Sequence, residues 1–386
     1  MTTLTDYATI NGTSVPTSRM GLDPVRVFSI PSYDNSRTPE VSIPTEIGSS
    51  KSRVDSPCVL VSKLNPRIPR IWLVEDPDAR TYCSPEFLQV VPKNADLQLR
   101  YLYYLMWANA SAIERSVKGT TGSHQRVGRD DVLRLDVFVP PLPEQKAIAT
   151  TLGALDDKIE SNRRASNLER KLAIATLSVG PERIRVGRIA SLSKGLSYKG
   201  AGLDDGSSAG AQPMLNLANF TTTGALKAAG MKYYTGDFRP KHRLATWDLV
   251  TANTDLTQQR EILGRGLLVP PTLDGALHTH HTSKVQFFDH EELALVLWAQ
   301  IQSPAFRERA KGFATGTTVT ALPAEAILDF EISVPADLDR SLDRSRALIE
   351  HSWHLEAETA RLVQTRDALL PELLSGRIRV LPEVPA

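Results

Sequence analysis

Arg183-Ile184-Arg185-Val186 recurs residue for residue as Arg377-Ile378-Arg379-Val380, 194 positions further on. Ahead of each tetrapeptide runs a long, charged, helix-prone stretch, 143–177 in one case and 342–375 in the other. Ahead of each of these comes an apolar run that ends in proline: Val132-Leu133-Arg134-Leu135-Asp136-Val137-Phe138-Val139-Pro140, and Ile327-Leu328-Asp329-Phe330-Glu331-Ile332-Ser333-Val334-Pro335. Upstream of each run stands a Gly-Thr-Thr, at 119–121 and at 316–318. Four markers in one order at nearly one offset, 194 to 199 positions, identify a duplicated globule-and-helix unit. Such a chain is pseudo-symmetric. Its natural partner has a repeat or two-fold symmetry of its own, and duplex DNA is the commonest polymer that qualifies.

The helices are the clearest elements. The first opens at Pro143-Glu144-Gln145-Lys146, with the proline and acid that first turns favour, and carries Leu152, Leu155 and Ile159 at coiled-coil spacing before Asn162 interrupts the seam. The second has leucine every seventh residue, at Leu348, Leu355, Leu362 and Leu369, with Ile349, Val363 and Leu370 alongside. A seam of that kind wants a helical partner. The two helices are expected to pack on each other, antiparallel, as a spacer between globules; each lying on its own globule is the alternative. Pro371 is expected to kink or end the second helix, and Gly376 to cap it.

Each globule reads as α+β. In the first, Pro57–Lys63 and Phe87–Pro92 have strand character and Leu97–Ala112 has helical character; the counterparts are Asp248–Asn253, Lys284–Phe288 and Glu291–Ile301. The chain therefore divides into a globule at 1–140, a helical spacer at 141–182, a second globule at 183–335 and a C-terminal helical spacer at 336–386.

Length and composition fit that plan. At 386 residues, each globule is large enough to bury a core. The first residues lack the basic start and apolar centre of a signal peptide, and no apolar run approaches a membrane span, so a cytoplasmic protein with no membrane partner is expected. Two cysteines, Cys58 and Cys83, without a CxxC pattern read as small core residues. The net charge of +1 gives no general basic character, so any phosphate-binding surface has to come from local clusters.

Catalytic patterns are missing. There is no GxxxxGK[ST] loop; Gly264-Arg265-Gly266 lacks a third glycine at dinucleotide spacing, and Gly195-Leu196-Ser197-Tyr198-Lys199 misses the nucleophile elbow at its last position. Asn65-Pro66-Arg67-Ile68 fails the amino-methyltransferase tetrapeptide at two of four positions. His278-Thr279-His280-His281 could place two imidazoles on one side of a strand, but no carboxylate or thiol stands at ligand spacing, so these are read as solvated or DNA-facing histidines and no metal is expected.

Pro140-Pro141-Leu142-Pro143-Glu144-Gln145-Lys146-Ala147-Ile148-Ala149, followed by Leu155-Asp156-Asp157-Lys158-Ile159-Glu160-Ser161-Asn162-Arg163-Arg164, closely resembles the central region of specificity subunits of type I DNA restriction–modification systems. Arg366-Asp367-Ala368-Leu369-Leu370-Pro371-Glu372-Leu373-Leu374-Ser375-Gly376-Arg377-Ile378-Arg379-Val380 is similar to their C-terminal region. The second copy departs from the first, with Val334-Pro335-Ala336-Asp337 in place of Pro-Pro-Leu-Pro-Glu-Gln. The resemblance implies two target-recognition domains, each reading half of a bipartite site in double-stranded DNA. It implies two modification subunits that bring S-adenosylmethionine and methylate adenine. It also implies restriction subunits, with ATP and Mg2+ used by the partners, and no chemistry in this chain. A protein-interaction scaffold with twin globules is the competing expectation, slightly favoured by near-neutral charge.

If the globules read DNA, side chains that pair with base edges or phosphates belong on loops near strand ends. In the first globule these are Lys63, Asn65 and Arg67 on one edge, with Arg70 beside them, and Lys118, Thr120, Thr121, Ser123, His124 and Arg126 in the Gly-Thr-Thr loop. In the second they are Arg239, Lys241 and Arg243, the densest basic run, together with Thr317 and Thr318. Ordinary solvated loops are the plainer reading of each.

Overall fold

Cys58-Val59-Leu60-Val61-Ser62 is buried at all five positions, although neighbouring side chains of a strand point to opposite faces. Both faces of its sheet must therefore be covered, and in the computed structural model they are. The structure describes residues 2–35, 37–117, 126–255, 259–316 and 319–380, and the chain forms two compact units, Met1–Ile159 with Ala360–Ala386, and Glu160–Thr359.

In the first unit four antiparallel strands run in the order Ala8–Asn11, Phe87–Pro92, Cys58–Ser62, Ile71–Val74. Val59, Val61, Leu88 and Val90 face the helix Leu99–Ala108, packing with Tyr101, Leu102, Leu105 and Met106. Cys58, Leu60, Trp72 and Phe87 face the other way, toward Phe28, Tyr33, Val54 and Cys83 of a second layer that contains a five-stranded sheet. Cys58 and Cys83 are thus free and buried in the core, and burial pushes both thiols up.

The second unit repeats this arrangement. Its four strands run Ala190–Lys194, Thr282–Phe287, Leu249–Ala252, Gly266–Leu268, again antiparallel, with Leu249, Leu268 and Val285 against the helix Leu293–Ile301. The repetition extends to single hydrogen bonds. Lys63 N–H donates to Glu86 O at 2.7 Å as Asn253 N–H donates to His281 O at 2.8 Å. Ser84 N–H donates to Phe28 O at 2.8 Å as Thr279 N–H donates to Leu215 O at 2.9 Å. Leu4 N–H and Val186 N–H donate to Leu135 O and Phe330 O, both at 2.9 Å.

Both proline-terminated apolar runs depart from the expected continuous strand, and in the same way. The first becomes a short helix, Arg129–Leu133, then a two-residue strand, Asp136–Val137; the second becomes Glu325–Leu328, then Glu331–Val334. Apolar residues spaced by two and by three satisfy either period over so short a run. Here the helical turn wins because it seats Val132 and Ile327 in their cores.

The long helices span Leu142–Leu177 and Leu338–Leu374. They pair antiparallel within each unit: Asp156 meets Arg366 in the first, while Asn162 meets Glu358 and Arg170 meets Ser352 and Glu356 in the second. The mixed α and β architecture with two long packed helices is the one expected. Leu152 and Ile159 are buried in the seam and Leu155 half-buried; Leu355 is buried, while Leu348, Leu362 and Leu369 are half-buried beside it. Asn162 does not interrupt the seam. It stays inside it, buried, and its amide donates to Glu358 at 2.7 Å. Arg170 is also buried there, 2.6 Å from Glu356. Nor does Pro371 end its helix, which continues to Leu374 before Gly376, with φ of 73°, turns the chain away.

The two resemblance motifs meet in the first unit. Asp156 accepts from Tyr104 of the globule at 2.8 Å and from Arg366 of the second helix at 2.9 Å. Gln145, buried at the start of the first helix, accepts from Gln98 N–H at 2.9 Å and donates to Asp96 O and Pro140 O at 2.7 and 2.8 Å. The second copy has no such glutamine on its long helix. There Gln300, from the globule's own helix, donates to Leu177 O and Ser333 O at 2.9 and 2.6 Å and accepts from Ser333 N–H at 2.8 Å.

Candidate nucleic-acid interface

The strand Cys58–Ser62 ends where three chain segments converge. Val127 N–H donates to Lys63 O at 2.8 Å and Lys63 N–H to Glu86 O, so Lys63, Glu86 and Arg126 share one edge. Asn65 then turns the chain with a φ of 46°, a left-handed conformation that asparagine tolerates better than most residues. The turn leaves Arg67 and Ile68 exposed. Lys63 is half-buried with its ammonium on Pro85 O, and Arg126 lies 2.9 Å from Glu86 with its side chain 61% exposed. The structure therefore brings Lys63, Asn65, Arg67 and Arg126 together. Arg70 is occupied: it makes a two-pronged contact with Asp34 at 2.7 and 2.8 Å. Lys118, Thr120, Thr121, Ser123 and His124 lie outside the described residues, as do Thr317 and Thr318 of the matching loop.

The equivalent edge of the second unit is built by Asn253, Thr254, His281 and the strand Thr320–Ala321. His281 Nδ1 is 3.0 Å from Thr254 Oγ1, and its ring lies 4.1 Å from that of exposed His280. Tyr198 approaches His280 at 6.2 Å and accepts a hydrogen bond from Lys232, whose ammonium also lies 4.9 Å from the Tyr198 ring. Burial, then the neighbouring His280 and Lys232, pushes His281 below its ordinary range. Its imidazole is therefore neutral near pH 7 and can both give and accept a hydrogen bond. His278 does not share this surface. It is buried, with Nδ1 3.0 Å from Thr282 Oγ1, so the strand does not present two imidazoles on one side.

Arg239 and Lys241 are exposed around a turn of 3-10 helix, Pro240–His242. Arg243 is held in place, stacked 4.6 Å from the Phe238 ring and donating to Gly275 O at 2.7 Å. Phe238 and Tyr198 pack on one small cluster of Leu196, Met214, Tyr234 and Leu277, which joins the basic run to the histidine edge. Tyr198 and Lys232 are the members that the sequence did not single out as DNA-facing, whereas His281 belongs to the run read as solvated or DNA-facing histidines. They converge from segments far apart in sequence, and only the histidine run carried a visible signal.

Charge and a left-handed turn at the strand end of the first unit, and exposed His280 with half-buried rings at the equivalent edge of the second, make surfaces that can meet phosphates and base edges. Among the described residues no group of three metal-binding side chains converges, and no helix is long and apolar enough to cross a membrane.

Residues 70–170 match the family model for the type I restriction modification DNA specificity domain. Among solved structures, the chain is similar to the S subunit of a type I restriction-modification system from M. genitalium, with a TM-score of 0.59 at 12% identity, over 97% of this chain and 95% of that one. It also aligns with the HsdS subunit from Thermoanaerobacter tengcongensis, at 16% identity and a TM-score of 0.40, over 98% and 96% of the two chains. No curated protein matches it. The resemblance read from the helical motifs is borne out by the family model over that segment and by the shared fold.

Proposed function

We propose that this chain is the DNA-reading specificity subunit of a type I restriction–modification system, each unit reading one half of a bipartite site in duplex DNA. The observation that carries this reading is the repetition of one strand-end edge, hydrogen bond for hydrogen bond, with different side chains on it: Lys63, Asn65, Arg67 and Arg126 in one unit, Thr254, His280, His281 and Lys232 in the other. A duplicated frame with divergent edges is what two different half-sites require. On this reading the exposed cations position each unit on phosphates, and the neutral imidazole and amide groups select bases. The chain performs no chemistry. Two modification subunits supply S-adenosylmethionine and methylate adenine, and restriction subunits use ATP and Mg2+ for cleavage.

Co-expression with modification subunits, followed by methylome sequencing, tests the proposal. The expected result is adenine methylation at one motif made of two fixed halves and an unspecified gap. A continuous motif, or no methylation by a complex that assembles, overturns it.

A further inference from the structure

The duplication also sets one strand pair of the first unit beside its counterpart in the second. In the second unit Glu182–Arg185 pairs with Glu331–Val334 over four residues, and Val186 follows, fully buried. In the first unit, among the described residues, Asp136–Val137 pairs with Thr2–Thr3, and Leu4 follows, fully buried. The registers coincide: Thr2 opposes Val137 as Ile184 opposes Ile332, and Thr3 opposes Asp136 as Arg185 opposes Glu331. Thr2-Thr3-Leu4 thus does the work of Ile184-Arg185-Val186. Among the described residues, Phe138 and Val139, which correspond to the paired Ser333 and Val334, have no strand beside them. Phe138 is 40% exposed and lies against a cavity of about 730 Å3.

The sequence twin of Ile184-Arg185-Val186 stands in the same unit. Thr2 and Arg377 both line the cavity, and Ile378-Arg379-Val380 follows directly. That segment is held outside the sheet: Ile378 N–H donates to Glu372 O at 3.1 Å, Arg377 pairs with Glu372 at 2.7 Å, Arg379 lies 3.9 Å from the mostly buried Glu144, and Val380 packs half-buried on the first unit's core. The Arg377–Glu372 pair is largely exposed and holds weakly. We propose that the edge formed by Asp136–Val139 is a strand-acceptor site with two interchangeable donors in this chain, Thr2–Leu4 and Ile378–Val380.

The geometry explains which donor rests in place. In the second unit six residues separate the helix end at Leu177 from Ile184, whereas only three separate Leu374 from Ile378. For Ile378 to reach the edge, the helix unwinds back to Pro371, the residue 194 positions after Leu177. Unwinding withdraws Leu373 and Leu374 from the core, so Thr2–Leu4 holds the site while it is intact. When it is displaced, Val380 takes the pocket of Leu4 as Val186 does in the sister unit, and the strand gains the pairs to Phe138 and Val139 that Thr2–Thr3 leaves unmade. None of this depends on DNA binding.

The test uses the full chain carrying Leu4→Asp, which evicts the first donor, with hydrogen exchange followed by mass spectrometry. The expected result is that amides of 136–139 stay protected, those of 378–380 slow at least tenfold, and those of 372–374 speed up. A double-mutant cycle accompanies it. Val380→Asp lowers the denaturation midpoint modestly in the native chain, where Val380 packs half-buried on the core, and by clearly more beside Leu4→Asp. Loss of protection at 136–139 without gain at 378–380, additive midpoints, or a Leu4→Asp chain whose first unit does not fold each overturns the proposal. So does protection at 378–380 that rises with protein concentration alongside a dimer, because the donor is then a second copy.

Discussion

Arg126 and Glu86 form an ion pair on an exposed edge, where such pairs contribute little and a guanidinium can be redirected to a ligand. If Arg126 reads a base, Arg126→Ala weakens binding to the cognate half-site by about 1–3 kcal/mol and spares other sequences. If it meets a phosphate, affinity falls for all sequences and the salt dependence flattens. Fluorescence anisotropy at several salt concentrations separates the two, and no change in either assigns Arg126 to its pair with Glu86 alone. His278 makes a different prediction. Burial, with Lys284 and His242 adding to it, pushes its imidazole down to about 4. An unfolded histidine titrates near 6.5, so as pH falls the unfolded chain takes up the proton first. Stability of the second unit is then lost across the window from about 6.5 to about 4, on the order of 3 kcal/mol in all. His278→Gln should flatten that part of a pH–stability curve; an unchanged slope assigns the loss to other groups. Side chains of this sort were only half legible in sequence. The basic residues announced themselves, but Tyr198 and Lys232, 34 positions apart, become neighbours only through the fold.

Gln145 is the clearest case of an element held by one side chain. Gln145→Ala leaves Gln98 N–H, Asp96 O and Pro140 O without their partner at a buried joint, at a cost of about 2–3 kcal/mol. Urea denaturation should show the loss, and Gln145→Glu, which keeps an acceptor but no amide donor, should recover only part of it. In the seam, Arg170→Met alone leaves the Glu356 charge half-buried with only the Ser166 hydroxyl, 3.3 Å away, while Arg170→Met with Glu356→Met removes both charges. The single change is expected to cost about 3–5 kcal/mol and the double much less. The long helices were legible because heptad leucines, a proline-acid start and a glycine stop all point one way. The apolar runs before them were not. Val132 to Val137 fits a strand and a helical turn alike, and the choice was made by the core that receives Val132. Asn162 and Arg170 were opaque for a related reason, since a polar residue at a seam position looks like an interruption until its partner on the other helix is seen.

On the scale of the molecule, the duplication was the most legible feature and the one that organises the rest. If the paired helices set the unspecified gap, inserting seven residues into each at matching levels, after Ile159 and after Arg361, keeps the heptad phase and lengthens the pair by about 10 Å. The methylated motif should keep both halves while the gap grows by about three base pairs at 3.4 Å each; a surviving activity with an unmoved gap removes the helices as spacer. Exchanging residues 1–140 for those of a relative should replace one half of the motif and leave the other. The two glutamine clamps give this exchange an asymmetry. Gln145 belongs to the long helix and grips the first globule by main-chain atoms alone, so this clamp asks no particular side chain of a foreign globule, although Asp156 still wants a donor such as Tyr104. Gln300 belongs to the second globule and grips the helix end, so an incoming second globule must carry its own glutamine. One clamp is a permissive socket and the other takes only a keyed plug, and recombination between relatives should therefore diversify the first half-site more freely than the second.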